Sequence, residues 1–124
     1  MSTDPHAGDL KIDYVEFSSP EIGKTKAFFQ AAFGWDFVDY GPDYQAFANA
    51  GIDGGVDGHS ESRIEPLVIL KTDDINAALE RVENAGGVVT VPIFDFPGGR
   101  RFQFREPGGN EMAVWALPEP EQDA

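Results

Sequence analysis

Two stretches, DYVEFSSPEIGKTKAFFQAAFGW (residues 13–35) and EPLVILKTDDINAALERVENAGG (residues 65–87), repeat one pattern. In each, a short apolar run leads to a hydroxyl residue, Ser19 or Thr72, and then to acidic residues. A capping oxygen and negative charge in the first turn are typical of a helix start. Apolar residues then recur at helical spacing until a glycine, which favours a left-handed C-terminal cap. The pattern predicts a strand followed by a helix, twice.

The apolar residues of each predicted helix define the face that we expect to pack on the core. These residues are Ile22, Ala27, Phe28 and Ala31 in the first helix, and Ile75, Ala78, Leu79, Val82 and Ala85 in the second.

Three strand-like pieces follow each predicted helix, with Gly- and Pro-rich turns between them. They are residues 36–40, 44–49 and 54–58 in the first half, and residues 88–91, 101–105 and 111–117 in the second. The element order is therefore βαβββ twice. This order predicts an α+β fold with two curved, antiparallel sheets.

The length of 124 residues is usual for one domain. We expect a single domain over residues 10–118, with one module at about residues 10–60 and another at about residues 63–118. The polar residues 1–9 and the acidic residues 119–124 are expected to be flexible tails. No signal peptide and no apolar run as long as a membrane span (roughly 18 residues) is evident, so a cytoplasmic protein without a membrane partner is expected.

Composition excludes several classes of function. The chain has no cysteine, so it has no disulfide, thiolate nucleophile or thiolate metal site. The 22 acidic and 9 basic residues give a formal net charge of −13. This charge opposes binding to a polyanion, and we expect no nucleic-acid partner.

Four stretches together resemble the vicinal oxygen chelate superfamily, which includes glyoxalases, bleomycin resistance proteins and extradiol dioxygenases. They are YVEFSSPEIGKTKAFFQAAFGWDF (residues 14–37), GIDGGVDG (51–58), LVILKTDDINAALERVENAGG (67–87) and GGRRFQFREPGGNEMAVW (98–115). The resemblance implies paired βαβββ modules that form a curved mixed or antiparallel sheet around a concave cavity, often completed in a homodimer. The family's activities range from isomerisation and ring cleavage to antibiotic sequestration, so the fold leaves the function open.

Metal-dependent members of this family hold a divalent ion with His, Gln or Glu side chains. The resemblance implies that the equivalent positions here are Tyr14, Leu67 and Ala113. Leucine and alanine offer no lone pair, and a tyrosine would need to ionise from a pKa of about 10. We therefore expect no metal and no cofactor. The alternative is a divalent metal with ligands drawn from Glu16, His59 and Glu111.

Strand alternation predicts which side chains face the cavity. Tyr14 and Glu16 share one face of the first strand, and Gln103 and Arg105 share one face of a strand in the second half. The predicted substrate-binding residues are Tyr14, Glu16, Phe47, Gln103, Arg105 and Trp115, and Glu16 is the candidate catalytic base. The pair Gly54-Gly55 is expected to form a tight turn rather than a phosphate cradle, because no lysine and helix start follow it.

Three functions remain open on the sequence. The first is metal-free binding of a small, partly aromatic molecule in the cavity between the modules. The second is a metal-dependent glyoxalase-like lyase, isomerase or dioxygenase, so whether the protein is an enzyme stays undecided. The third is a dimeric interaction or regulatory module. The expected partners are a small-molecule ligand and a second copy of the chain.

Overall fold

The computed structural model describes residues 9–59 and 65–119. Its elements are β1 Lys11–Ser18, α1 Ile22–Phe33, β2 Asp36–Asp39, β3 Tyr44–Ala48, β4 Asp53–Asp57, β5 Leu67–Lys71, α2 Ile75–Asn84, β6 Val88–Phe96, β7 Gly99–Arg105 and β8 Glu111–Ala116. This order confirms the predicted repeat of βαβββ. Of the helices in the described residues, none is both long and apolar enough to cross a membrane.

The chain divides into two compact units. Module one is Asp13–Val68, and module two comprises the described residues of Met1–Ile12 and Ile69–Ala124. The strand order is β2-β3-β4-β1 in module one and β5-β8-β7-β6 in module two. In module one β1 pairs with β4 in parallel, while β3 is antiparallel to both β2 and β4. In module two β7 is antiparallel to β6 and β8.

Aromatic rings form the packing between α1 and the strands of module one. The Phe29 ring lies 5.5 Å from Phe17, 6.4 Å from Phe47 and 4.8 Å from Trp35 between centroids. The predicted core face of this helix was wrong, since Phe28 is 59% exposed and Ala27 and Ala31 are exposed too. The neighbouring Phe29 packs on the strands instead of Phe28. It lies seven residues after Ile22 and therefore on the same helical face.

The core of module two agrees with the predicted helix face. Its buried members are Ile75, Ala78, Phe102, Phe104, Val114 and Ala116, with Leu79 and Val82 packed against them. Ala85 is exposed, so this last predicted position was wrong. Phe102 and Val114 face each other across β7 and β8 and are both fully buried. The helix-side face of this sheet is thus closed by hydrocarbon, and the alternating residues of β7 and β8 point the other way.

The helix starts differ in detail from the prediction. In α2 the capping residue is Asp74, which accepts a hydrogen bond from Ala77 N at 3.1 Å. The Thr72 hydroxyl instead accepts from Asp74 N at 3.2 Å. In α1 the N-cap residue is Glu21, whose side chain makes no capping hydrogen bond, and the Ser19 hydroxyl accepts from Glu21 N at 3.0 Å. Each hydroxyl therefore orders the turn before the helix.

The ends of the described chain are tied to module two. Asp9 accepts a hydrogen bond from Asp73 N at 3.0 Å, and Glu119 accepts one from Arg100 at 2.8 Å. The other residues of the two predicted tails, 1–8 and 120–124, lie outside the described residues.

Candidate functional site

A hydrogen-bonded chain of three side chains lies on the face of module one opposite α1. Tyr14 and Glu16 alternate with Phe17, whose ring packs on Phe29 of α1, so they point away from the helix. The Tyr44 hydroxyl donates to Glu16 Oε2 at 3.2 Å and also hydrogen bonds to the Tyr14 hydroxyl. Glu16 is buried, at 7% exposure. The structure thus brings together a carboxylate and two phenols.

Glycine makes this arrangement possible. Gly55 pairs with Glu16 across β4 and β1, and with Ala46 across β4 and β3. A Cβ atom at Gly55 would overlap the hydroxyl end of the Tyr44 ring. The missing side chain therefore lets the ring pass over β4 to reach Glu16. The expectation of a tight turn at Gly54-Gly55 was wrong, because both residues lie inside β4.

Burial keeps both phenols of the chain protonated. Desolvation raises the pKa of Tyr44 well above its usual value, and the negative charge of Glu16 raises it further. Desolvation also raises the pKa of Tyr14, and the nearby negative charge of Glu16 adds to the rise. Both groups therefore remain neutral hydroxyls over the physiological range of pH.

These shifts predict a loss of stability in alkali. Above pH of about 10 the unfolded chain releases the protons of Tyr14 and Tyr44 while the folded chain keeps them, so the free energy of unfolding falls as pH rises. We expect the double variant Tyr14→Phe, Tyr44→Phe to show a shallower fall in urea unfolding between about pH 9 and pH 11. Tyr40→Phe is the matched control, because it removes a phenol from a side chain that is 67% exposed. Equal slopes in the double variant and the wild type would contradict the assignment.

A second polar group lies on the face of module two opposite α2. Gln103 is buried at 8% exposure and donates from Nε2 to Glu111 Oε2 at 3.1 Å. The Thr90 hydroxyl donates to the same oxygen at 2.8 Å, and Arg101 donates to Gln103 Oε1 at 2.9 Å. The group therefore links three strands, β6, β7 and β8, through side chains that can also hydrogen bond to a ligand.

The other predicted site residues of module two, Arg105 and Trp115, lie near the two ends of the β7–β8 ladder. Arg105 is exposed and pairs in register with Glu111 at the end of the β7–β8 ladder. Trp115 is half-buried, with Lys71 Nζ lying 5.4 Å from its ring centroid. Trp115 pairs in register with Arg101 and so shares the face of Gln103.

Phe47 does not lie with the other predicted site residues of module one. It pairs with Gly54, the neighbour of Gly55, and so points to the α1 side of the sheet. There it is buried at 4% exposure and packs 4.9 Å from Trp35 between ring centroids. The prediction that Phe47 contacts a ligand is corrected: its ring is part of the core.

Tyr44, Arg101 and Thr90 were missing from the predicted site. Tyr44 is two strands away from Glu16, and only the register of β1, β4 and β3 reveals their contact. Alternation along β3 indicates that Tyr44 and Phe47 occupy opposite faces, so the two residues could not both belong to the predicted site. Thr90 reaches Glu111 where the β6–β7 register shifts between Val89 and Val91. Such an irregularity has no simple signature in a sequence.

Two cavities lie elsewhere in module two. They measure about 360 and 430 Å³, and Arg100 lines both. The Arg100 guanidinium is held by Asp95 at 3.2 Å and Glu119 at 2.8 Å. Neither cavity includes the residues of the two polar groups.

The donor set does not fit the family's metal ion. Leu67 and Ala113 are fully buried hydrocarbon, and Tyr14 keeps its proton. Within residues 9–59 and 65–119, no three His, Cys, Asp or Glu side chains are grouped as a metal site requires. His59, an alternative ligand, lies 3.2 Å from Asp43 with its side chain 75% exposed. His6 lies outside the described residues.

The chain resembles known proteins in its sequence and in its fold. A family model described as Glyoxalase/Bleomycin resistance protein/Dioxygenase superfamily matches residues 11–114. The anthracycline biosynthesis protein DnrV of Streptomyces peucetius is 30% identical over 82% of this chain. The chain spans 45% of the length of that relative.

Solved structures share the fold at low sequence identity. The Mn(II)-bound glyoxalase from Novosphingobium aromaticivorans has a TM-score of 0.65 at 23% identity, covering 94% of this chain and 42% of that one. Methylmalonyl-CoA epimerase from Mycobacterium tuberculosis has a TM-score of 0.69 at 14% identity, covering 97% and 94%. Similarity at these identities concerns the fold alone.

Proposed function

The chain belongs to the glyoxalase/bleomycin resistance protein/dioxygenase superfamily, and from this premise we propose that it binds a small, partly aromatic molecule without a metal ion. The observation that carries the proposal is the hydrogen-bonded chain of Tyr14, Tyr44 and Glu16. Burying a carboxylate and two phenols costs free energy unless each is paired. A preformed set of convergent polar groups beside an aromatic ring is typical of a small-molecule site.

The chemistry of the site favours a hydroxylated aromatic ligand. The half-buried Tyr14 ring offers an apolar surface next to its hydroxyl, so one side chain provides both stacking and hydrogen bonding. The net charge of −13 disfavours strongly anionic ligands. DnrV is named as an anthracycline biosynthesis protein, and anthracyclines are fused-ring aromatic compounds with phenol hydroxyls. We propose a compound of this class as the ligand of the present chain.

Metal-free binding follows from the donor set at the family's ligand positions. Divalent cations in proteins need several oxygen or nitrogen donors that converge on one point. Here two of the three positions are leucine and alanine. The carboxylates of the two polar groups are already hydrogen bonded, Glu16 to Tyr44 and Glu111 to Thr90. We therefore assign these carboxylates to the orientation of side chains and ligand.

The test is a binding titration on protein treated with EDTA. We expect the intrinsic fluorescence of 2-naphthol to report saturable, one-to-one binding that is unchanged by EDTA or by added Mn²⁺. Tyr14→Phe removes the hydroxyl at the ligand-facing end and should weaken binding about tenfold. Tyr40→Phe, at the exposed tyrosine, is the control and should bind as the wild type does.

Other outcomes would favour the rival functions. Binding that disappears in EDTA and returns with Mn²⁺ would support a metal-dependent lyase, isomerase or dioxygenase. The absence of saturable binding by 2-naphthol in any buffer would contradict the proposal and leave the interaction module as the remaining hypothesis.

A further inference from the structure

We propose that the Tyr14–Tyr44–Glu16 chain has a fixed hydrogen-bond direction, which makes the Tyr14 oxygen an acceptor and selects neutral ligands that carry an O–H or N–H donor. This inference rests on the proposed function and specifies the ligand chemistry of the same site. It assigns a specificity-determining role to Tyr44, a side chain placed between the ligand-facing residue and the carboxylate.

The direction follows from a count of protons. An ionised carboxylate only accepts hydrogen bonds, and each tyrosine hydroxyl has one proton to donate. Tyr44 donates its proton to Glu16 Oε2 at 3.2 Å. The hydrogen bond between the Tyr14 and Tyr44 hydroxyls must therefore use the Tyr14 proton. The Tyr14 oxygen then keeps only lone pairs for a ligand.

The surrounding charges act in the same sense. Glu16 and Asp53 both disfavour negative charge on the Tyr14 phenol and raise its pKa. The same charges disfavour a ligand that brings an anion to this oxygen. A neutral hydroxyl or amide N–H, in contrast, directs its positive end towards the Tyr14 lone pairs. The site therefore distinguishes a phenol from its ether and from its phenolate.

The packing holds the Tyr44 hydroxyl in place between its two partners. Glu16 is buried at 7% exposure. Position 55 must be glycine, since a Cβ atom there would overlap the Tyr44 hydroxyl. The Tyr44 ring is therefore held with its hydroxyl between Tyr14 and Glu16. A ligand meets a preorganised acceptor and does not have to reorient it.

A matched pair of probes tests the inference on the full chain in EDTA. We expect 2-naphthol to bind about tenfold more tightly than 2-methoxynaphthalene, which has the same rings but no donor. In Tyr44→Phe the Tyr14 hydroxyl loses its partner and is free to turn its proton towards the methoxy oxygen. The ratio of the two dissociation constants should then fall to near one. Tyr40→Phe should keep the wild-type ratio.

The outcomes separate this inference from the proposed function. If both probes saturate the wild type with equal affinity, the direction of the chain is contradicted while small-molecule binding stands. A preference for 2-naphthol that survives in Tyr44→Phe also contradicts it, because a merely structural role for Tyr44 would leave the ratio unchanged. If neither probe binds, the proposed function fails and this inference fails with it.

Discussion

Replacing Gly54 with alanine is expected to destabilise the protein by about 3 kcal/mol, the upper end of the range for overpacking a closed site. A Cβ atom at Gly54 would overlap the backbone carbonyl oxygen of Val15 and the ring of Phe47. The carbonyl belongs to the neighbouring strand β1, and Phe47 is 4% exposed within the aromatic core. Neither group has free space to move into. Urea unfolding measures the loss.

The sign of this effect is informative, because exchanging glycine for alanine usually stabilises a protein by restricting its unfolded chain. Gly23 is the matched control. It lies in α1, and a Cβ atom there would meet nothing within 4 Å. We expect Gly23→Ala to stabilise the protein by about 0.5 kcal/mol. A neutral or stabilising Gly54→Ala would mean that β1, β3 and β4 do not pack as described.

Replacing Phe102 with alanine should have a larger effect, a loss of about 3–5 kcal/mol. Phe102 is fully buried in β7, pairs with Val114 of β8 and contacts the Phe104 ring at 6.1 Å between centroids. The substitution removes a large apolar side chain and leaves a cavity beneath α2. Since a loss of this size is comparable to the stability of many small domains, unfolding should be followed at low temperature and low denaturant.

Phe28→Ala is the control for the removal of a ring. Phe28 is 59% exposed and meets the Phe29 and Phe33 rings edge-on, at 6.0 and 5.7 Å between centroids. We expect it to cost about 1 kcal/mol. Similar losses in Phe28→Ala and Phe102→Ala would contradict the assignment of the module two core.

The sequence predicted the elements better than the faces they present. The strand and helix order follows from turn residues and periodicity, both of which are local. The face of a helix becomes ambiguous where two phenylalanines are adjacent, as at Phe28 and Phe29. There the buried face of the helix is determined by Phe17 and Phe47, the rings on which the helix packs. These rings lie on strands, and the helical sequence alone does not reveal them.

The same limit applies to the candidate site. Alternation along one strand placed Tyr14 and Glu16 together, since this requires no knowledge of any other strand. Phe47 was placed with them because the register of β3 against β4 cannot be read from either strand alone. A shift of one residue in register exchanges Phe47 for its neighbours on the other face. Tyr44 was missed for the same reason.

Fold and site therefore carry different information about function. The fold is shared with a Mn(II)-bound glyoxalase at 23% identity and does not by itself select an activity. The side chains carry the proposal, because the resemblance implies that Tyr14, Leu67 and Ala113 stand where the family's metal-dependent members have ligands. We propose that the Tyr14–Tyr44–Glu16 chain offers oriented hydrogen bonds in place of metal coordination.

A crystal structure of the protein grown with both 2-naphthol and Mn²⁺ tests this claim most directly. We expect the naphthol oxygen within hydrogen-bond distance of Tyr14 Oη, Tyr44 still donating to Glu16, and no Mn²⁺ on that carboxylate. Mn²⁺ coordinated by Glu16, with the Tyr44 hydrogen bond displaced, would contradict metal-free binding and identify the site as a metal centre.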